Sequence, residues 1–339
     1  MTTPDSDPVD AWLRRELGLQ PPLRPHQVAG GLSNVTSIVV DGNGRRVVVR
    51  RPPDGVHGGG AHDVLREARI MTALLATGVP VPRVVATADP VPGAPWPAYA
   101  MDYIDGVVVD STRVIEGLPA GTRHALGLGL VDVLVAVQGV DLGATGLGDL
   151  RRGTPYIDRQ LRRWRSQWSA TATRSVPAVD RVADRLERQL AGVPAQPDCL
   201  VHGDFRFGNV MIGPGRPPQI AALLDWELAT TGHPLADLGF LGARMHAPSG
   251  VLADAGDPSA AAGMPTFDEL TEHYHRRTGV PIDAVPLFVA LSAWRWAIIV
   301  AGIARRFEEG RMGQVADDAD WQHSRVGLLA ALAEEWLGA

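Results

Sequence analysis

The segment LVHGDFRFGNVM, residues 200–211, brings together side chains that can move a proton and hold a cation. Asp204 and Asn209 stand five positions apart, and His202 precedes them. Further along, the apolar run QIAALL leads to Asp225, and the turn-rich GPGRPP separates it from the apolar run after Asn209. In a hairpin the start of the first strand lies beside the end of the second. We therefore expect Asn209 and Asp225 to lie together, with Asp204 on the loop beside them.

These residue types suit a phosphate-transferring site. Asn and Asp oxygens are ligands for a hard cation such as Mg²⁺. In phosphoryl transfer the metal neutralises phosphate charge, and a carboxylate orients and deprotonates the attacking hydroxyl. The kinase catalytic loop has the same Asp-to-Asn spacing and is followed by a later metal-binding Asp. Because HGDFRFGN and LDWE occupy those places, the sequence predicts a kinase.

A second chemistry fits part of the same segment. His202 and Asp204 also match half of a mononuclear iron site with two histidines and one carboxylate, for which His233 is the candidate third ligand. That class of oxygenase usually has a β-barrel scaffold, whereas the sequence after Gly239 has a helical pattern. Tightly bound iron would favour the oxygenase, and weak Mg²⁺ dependence would favour the kinase.

The combination of HGDxxxxN, DWE and GHPLADLG resembles the aminoglycoside phosphotransferase family, and within it the phosphotransferase domain fused to some acyl-CoA dehydrogenases. The resemblance runs from about Gly30 to the C-terminal helices. It implies an α+β, bilobal, protein-kinase-like fold and an enzyme that uses ATP, with GTP as the alternative, Mg²⁺, and a hydroxyl of a small acceptor. The implied divisions are a β-rich N-lobe over 1–101, a hinge over 102–106 and a helical C-lobe over 107–339 that carries the catalytic loop and the metal-binding hairpin.

The same resemblance implies roles for the residues around the motif. Asp204 is expected to be the catalytic base, and Asn209 and Asp225 are expected to be the Mg²⁺ ligands. His202 and Asp237 are expected to support the loop and not to touch substrate.

The N-terminal half contains a candidate ion pair. Alternation in RRVVVR places Val48 and Arg50 on one face of a strand, and Arg51 on the other. The family commonly has a Lys at the Arg50 position, which reaches the ATP phosphates and pairs with a helix Glu. Glu67 is the expected partner, because it lies within the apolar face of its helix, where an unpaired carboxylate is costly. Val48 is expected to cover the base.

Two further segments are expected to meet the nucleotide by the same resemblance. The GGLSN loop, with Gly31, Ser33 and Asn34, occupies the place of the nucleotide-covering loop. The backbone of AMDYIDG is expected to meet the adenine, chiefly at Asp102 and Ile104.

The acceptor class is indicated by a cluster of charges and by the resemblance to dehydrogenase-fused domains. In RQLRRWRSQW, Arg159, Arg162 and Arg163 share a face at helical spacing. A solvated helix face explains such a cluster, and so does an acceptor cleft that favours an anion such as a hydroxyacyl-CoA. The alternatives are an O-phosphotransferase acting on aminoglycosides or other antibiotics and, from another class, a nucleotide-binding pseudokinase.

Composition excludes several other classes. All 32 basic residues counted as Lys+Arg are Arg, so neither a Schiff-base lysine nor a lysine-containing P-loop is available. A net charge of −6 argues against general nucleic-acid binding. The acidic start MTTPDSDPVD lacks the apolar core of a signal peptide. Arg295 interrupts the apolar run over 286–307, which favours a core helix over a membrane span, so we expect a cytoplasmic protein without a membrane partner.

Overall fold

A computed structural model describes residues 7–28, 34–53, 63–252, 256–310 and 319–338. The chain divides into two compact units, each made of separate stretches. Unit 1 comprises Met1–Val107, Thr145–Leu147 and Met211–Ala229. Unit 2 comprises Val108–Ala144, Gly148–Val210 and Thr230–Ala339. This division differs from the continuous boundaries expected from the sequence, because residues 211–229 pack with the N-terminal sheet.

Unit 1 is built on a five-stranded antiparallel sheet with the order β1–β2–β3–β5–β4. Its strands are β1 (Arg24–Gln27), β2 (Val35–Val40), β3 (Arg46–Arg51), β4 (Val84–Ala88) and β5 (Ala98–Asp102). Its helices are α1 (Pro8–Leu17) and α2 (Val64–Leu74). The edge strand β1 was not expected from its polar sequence, RPHQ; it forms because its backbone pairs with β2.

The β2–β3 hairpin sets the orientation of the candidate ion-pairing strand. Its turn, DGNG, is closed by the carboxylate of Asp41, which accepts hydrogen bonds from the backbone N–H groups of Gln20, Asn43 and Arg45. Alternation along β3 buries Val47 and Val49 in a core that includes Trp12 of α1. The opposite face therefore carries Val48 and Arg50, as the sequence predicts.

Helix α2 ends before the apolar spacing of the sequence does. Asp63 caps its start by accepting from the N–H of Arg66, and the helix ends at Leu74 rather than continuing towards Gly78. Leu75 continues the spacing of the apolar residues Val64, Ala68 and Met71 in the sequence, but it is 48% exposed, whereas Leu74 is fully buried. Glu67 remains within the buried stripe.

Unit 2 is mainly helical. Its helices are α3 (Thr112–Glu116), α4 (Ala120–Gln138), α5 (Tyr156–Thr171), α6 (Pro177–Leu190), α7 (Leu235–Met245), α8 (Phe267–Thr278), α9 (Val285–Glu308) and α10 (Ala319–Gly338). A two-stranded antiparallel sheet pairs β7 (Cys199–Val201) with β10 (Thr230–Gly232). A three-stranded sheet with the order β6–β8–β9 has most of its residues in unit 1; its strands are β6 (Val107–Val108), β8 (Val210–Ile212) and β9 (Ile220–Leu223).

The strands β8 and β9 form the predicted hairpin. Its turn is closed by the N–H of Gly213, which donates to the carbonyl of Gln219 at 2.9 Å. Asn209 lies immediately before β8, and Asp225 follows β9 after one intervening residue.

Helices α7 and α9 pack closely against each other in unit 2. A Cβ on Gly239 would fall 2.5 Å from the carbonyl carbon of Phe288, so only glycine allows this close approach. Two helices, α4 and α9, are long and apolar enough by length and composition to cross a membrane, which by itself is weak evidence. In α9, 78% of the apolar window is buried inside the protein, as in a core helix.

Candidate active site

The HGDFRFGN segment forms a tightly bonded loop in unit 2. It follows β7 and ends in a single 3₁₀ turn, Phe207–Asn209. The Nδ2 of Asn209 donates to the carboxylate Oδ2 of Asp204 at 2.7 Å and to its carbonyl oxygen at 2.8 Å. The Nε of Arg206 donates to the same Oδ2 at 3.1 Å. Within the described ranges, the Oδ1 of Asp204 accepts no hydrogen bond, so one oxygen of this carboxylate is available.

Asp237 on α7 holds the loop from inside. Its Oδ2 accepts the N–H of His202 at 2.7 Å, and its Oδ1 accepts the N–H of Gly203 at 2.9 Å. Burial raises the pKa of Asp237, while His202 and the two N–H groups act in the opposite direction. The Nη2 of Arg295 donates to the Gly203 carbonyl at 2.7 Å. Gly203 has φ +89°, a conformation that favours glycine, so this hydrogen-bonded bend sets the position of Asp204.

His202 completes the support of the loop. Its ring is fully buried, and its Nδ1 accepts the N–H of Asp204 at 3.2 Å. Gly208 makes room on the other side, because a Cβ there would fall 1.8 Å from the Nη1 of Arg206. The glycine therefore lets the Arg206 guanidinium lie across the turn and reach Asp204.

In unit 1, Arg50 lies among three acidic side chains. Its Nη1 is 3.2 Å from the Oε1 of Glu67, and its Nη2 is 2.7 Å from the Oδ1 of Asp225 and 3.1 Å from the Oε2 of Glu227. Burial alone would lower the pKa of Arg50, but Glu67 and the other acidic groups outweigh burial and raise it. The guanidinium is therefore charged. Arg51, the alternative partner, lies instead over the ring of Trp96.

Glu67 is buried on the helix face that meets this arginine. Its side chain is 1% exposed, and its Oε1 also accepts the N–H of Trp226 at 3.2 Å. Burial raises the pKa of Glu67 to about 7, with Asp225 and Glu227 acting in the same direction and Arg50 opposing them. The sequence argument that a carboxylate here needs a cationic partner agrees with this geometry.

The turn that carries Asp225 has an unusual backbone. Asp225 has φ +68° and ψ +63°, and no other non-glycine residue in the described part of the chain has a positive φ. Such strain persists where the surroundings hold it. Here Arg66 of α2 donates to the carbonyls of Glu227 and Ala229, beside the bond from Trp226 to Glu67. Side chains of helix α2 therefore hold the backbone of the turn.

Of the five remaining residues expected to contact the nucleotide, the structure describes three. Gly31 and Ser33 lie outside the described residues. Asn34 is 4% exposed, and its Nδ2 donates to Glu227 at 3.2 Å. The N–H of Asp102 donates to the carbonyl of Arg83, so it cannot also donate to a base. Ile104 is half-buried.

The two candidate metal ligands lie in different units. Asn209 belongs to unit 2 and Asp225 to unit 1, and their approach stays a prediction.

The comparison with known families decides the class of this chain. The model of the phosphotransferase enzyme family matches residues 25–273. The chain belongs to this family. The prediction of a phosphotransferase enzyme is therefore confirmed, and the iron-oxygenase interpretation of His202, Asp204 and His233 is replaced by it.

Relatives of this phosphotransferase include much longer proteins. Acyl-CoA dehydrogenase family member 10 of Mus musculus is 33% identical over 311 residues, covering 90% of this chain and 29% of the mouse protein. Family member 11 of Rattus norvegicus is 31% identical over 288 residues, covering 84% of this chain and 36% of the rat protein. The chain thus spans about a third of the length of these curated relatives. The predicted resemblance to dehydrogenase-fused domains is confirmed.

Solved structures confirm the fold of the phosphotransferase. A candidate aminoglycoside phosphotransferase of Ralstonia eutropha JMP134 superposes with a TM-score of 0.82 at 32% identity, covering 98% of both chains. A thermostable mutant of aminoglycoside phosphotransferase APH(4)-Ia, solved with AMP-PNP and hygromycin B, has a TM-score of 0.63 at 18% identity, covering 96% of this chain and 99% of that one. The predicted kinase-like α+β fold is therefore confirmed.

The three arginines of α5 in the phosphotransferase do not share one environment. Arg159 points inward and donates to the carbonyls of Thr154 and Thr231. Arg162 and Arg163 are exposed, and Arg163 lies over the ring of Trp164. All three lie on one helix at the predicted spacing, but backbone carbonyls take the donors of Arg159, so its guanidinium differs from those of Arg162 and Arg163. Acceptor binding stays a prediction for Arg162 and Arg163.

Sequence reasoning missed three residues that the structure ties to the site: Arg66, Arg206 and Glu227. Two of them are inside the motifs already used, in HGDFRFGN and DWE, where a charged residue near a functional acid was a signal. Arg66 had no such signal, because its partners are backbone carbonyls about 160 positions away.

Proposed function

We propose that this phosphotransferase is a kinase that transfers the γ-phosphoryl group of ATP to a hydroxyl of a small acceptor, with Asp204 as the base. One observation carries the proposal. The carboxylate of Asp204 is held at Oδ2 by Asn209 and Arg206, while its Oδ1 accepts no hydrogen bond within the described ranges. A base needs this combination of fixed orientation and one available oxygen.

The reaction assigns a place to each atom. The oxygen of the acceptor hydroxyl attacks the γ-phosphorus, the bond to the bridging oxygen of ATP breaks, and ADP leaves. The hydroxyl proton passes to Oδ1 of Asp204. Asp237 and Arg295 keep the loop in position through Gly203. Positioning supplies a large share of catalysis in phosphoryl transfer, where the protein does little covalent chemistry.

The residues present fit a magnesium ion. Asn209 donates through its Nδ2 to Asp204. Its carboxamide oxygen accepts no hydrogen bond among the described residues. Asp225 gives one oxygen to Arg50 and keeps Oδ2 without a hydrogen bond in the same ranges. Both are the hard oxygen ligands that Mg²⁺ prefers. When bound, the ion neutralises phosphate charge. GTP remains the alternative nucleotide.

For the acceptor we propose an anionic hydroxyl compound, such as a hydroxyacyl-CoA. The similarity to acyl-CoA dehydrogenase family members supports this class, as do the exposed Arg162 and Arg163 of α5. The second candidate is an aminoglycoside, favoured by the similarity to the Ralstonia protein at 32% identity. The two acceptors carry opposite charge, so one screen separates them.

The test is ADP formation with four acceptor classes: hydroxyacyl-CoAs, aminoglycosides, macrolides and small polar alcohols. The matched control for a hydroxyacyl-CoA is the acyl-CoA of equal length without the hydroxyl. We expect ADP with the first and background with the second. Phosphorylated aminoglycosides and unreactive thioesters would reject the anionic acceptor. ATP binding without turnover on any acceptor would instead indicate a pseudokinase.

Charge reversal tests the acceptor surface separately. Replacing Arg162 and Arg163 with Glu should raise the KM for the thioester about tenfold and leave the KM for ATP unchanged, since each exposed charge contributes only about 1 kcal/mol or less. Arg188→Glu, on the exposed face of α6, is the matched control and should change neither constant. An equal effect of both substitutions would remove α5 from the acceptor site.

A further inference from the structure

Glu227 connects three parts of unit 1. It follows Asp225 in the DWE motif, and its side chain is 11% exposed. Its Oε2 accepts from the Nη2 of Arg50 at 3.1 Å and from the Nδ2 of Asn34 at 3.2 Å. Asn34 lies directly before β2, and Arg50 is near the end of β3. Glu227 therefore ties both strands to the turn that carries the candidate metal ligand.

The same nitrogen of Arg50 serves two acids. Nη2 lies 2.7 Å from Asp225 and 3.1 Å from Glu227, while Nη1 lies near Glu67. Each Nη atom carries two hydrogens, so Nη2 can bond both carboxylates at once. If a cation draws the Asp225 carboxylate away, this nitrogen still has Glu227 as its partner.

We propose that Glu227 is a positioning residue that retains Arg50 so that Asp225 can exchange its bond to the arginine for a bond to the metal ion. The proposal rests on the proposed kinase function. Arg50 is 12% exposed, and a buried charge that loses its partner is strongly disfavoured. Without Glu227, the Nη2 of Arg50 would depend on Asp225 alone, and the arginine would compete with the ion for that carboxylate.

The charge of Glu227 supplies an alternative explanation for any effect of removing it. A nearby carboxylate attracts a divalent cation by Coulomb interaction, whatever Arg50 does. The two explanations differ for Asn34. Asn34→Ala removes a hydrogen bond that holds Glu227 in place and changes no charge. A purely Coulombic role predicts little change in the metal requirement from this neutral substitution, whereas the positioning role predicts an increase.

The experiment measures the Mg²⁺ concentration that gives half-maximal ATP binding by calorimetry at pH 8. We expect Glu227→Gln to raise it about tenfold, because the variant keeps an acceptor oxygen but replaces the charge-assisted hydrogen bond from Arg50 by a weaker one to a neutral group. Asn34→Ala should raise this concentration by a smaller factor of about three, because the contact between Glu227 and Arg50 is loosened and not lost. Adenosine, which has no phosphate, should keep its affinity in both variants. Denaturation curves confirm that each variant is folded.

A double-mutant cycle tests whether the effect passes through Arg50. In an Arg50→Met background, adding Glu227→Gln should change the Mg²⁺ requirement less than twofold, because no arginine is left to compete. Additive effects in the cycle, or an unchanged requirement in Asn34→Ala, would leave charge as the only role of Glu227 and overturn the inference. Wild-type protein that binds no ATP with Mg²⁺ would overturn the proposed function as well, which separates the two failures.

Discussion

Removing the carboxylate of Asp237 tests whether the loop geometry controls catalysis. Asp237 is 1% exposed and accepts two backbone N–H groups, from His202 and Gly203. Each buried N–H left without a partner costs about 1–3 kcal/mol, so Asp237→Ala should lower the free energy of unfolding by about 2–6 kcal/mol. Asp237→Asn keeps one acceptor oxygen and should lose roughly half as much.

The effect on turnover should exceed what instability explains. The bend at Gly203 places Asp204, and a shift of the base by about 1 Å can lower the rate about 100-fold. We therefore expect kcat of Asp237→Asn to fall at least about tenfold under conditions where the variant is folded. The affinity for ATP should change less than kcat, because the residues proposed to bind the nucleotide, apart from the metal ligand Asn209, are in unit 1.

The assays are denaturant unfolding, ADP formation and calorimetric ATP binding. Asp41 offers a matched control. Its buried carboxylate accepts three backbone N–H groups. Asp41 lies in the β2–β3 turn, at the opposite end of that hairpin from Arg50. Asp41→Ala should lower the denaturation midpoint and leave kcat of the folded protein unchanged. If Asp237→Asn loses stability but keeps wild-type kcat, the loop is not the route by which Asp237 acts.

Three further predictions concern the base, a buried histidine and a helix crossing. Asp204→Asn should lower kcat about 10²–10⁴-fold with ATP binding retained, and a smaller loss in single-turnover assays would reject it as the base. Burial lowers the pKa of His233 to about 4. The contribution of the neutral histidine to the free energy of unfolding is therefore fully present above its unfolded pKa of 6.5 and is lost as pH falls towards 4. This contribution is at most about 3 kcal/mol. The variant His233→Asn keeps an acceptor for the N–H of Leu235. It should reduce the difference in unfolding free energy between pH 7 and pH 5. Gly239→Ala should destabilise the protein by about 1–3 kcal/mol, because its Cβ would overlap Phe288. Gly327→Ala in α10 meets nothing within 4 Å and should stabilise it by about 0.5–1 kcal/mol; equal effects on the melting temperature would contradict the close-approach argument.

Much of the chemistry was predictable from short stretches of sequence. Asp204 and Asn209 belong to one loop, so their spacing alone indicated a base and an amide that could meet. Strand parity separated Arg50 from Arg51, because successive side chains on a strand point to opposite faces. The apolar helical stripe around Glu67 indicated a buried acid that needs a cation, since the period of a helix determines which residues share a face.

Contacts between distant segments could be known only from the tertiary structure. Arg50 is bonded to Asp225 and Glu227, some 175 positions further along the chain, and no local pattern encodes that choice of partners. Arg159 has the local pattern of an exposed cation but donates to the carbonyls of Thr154 and Thr231. The physical reason is the same in both cases. The sequence determines which groups carry charge and which face of an element is apolar, whereas the packing of distant segments determines which of those charges are desolvated and which acceptors their donors reach.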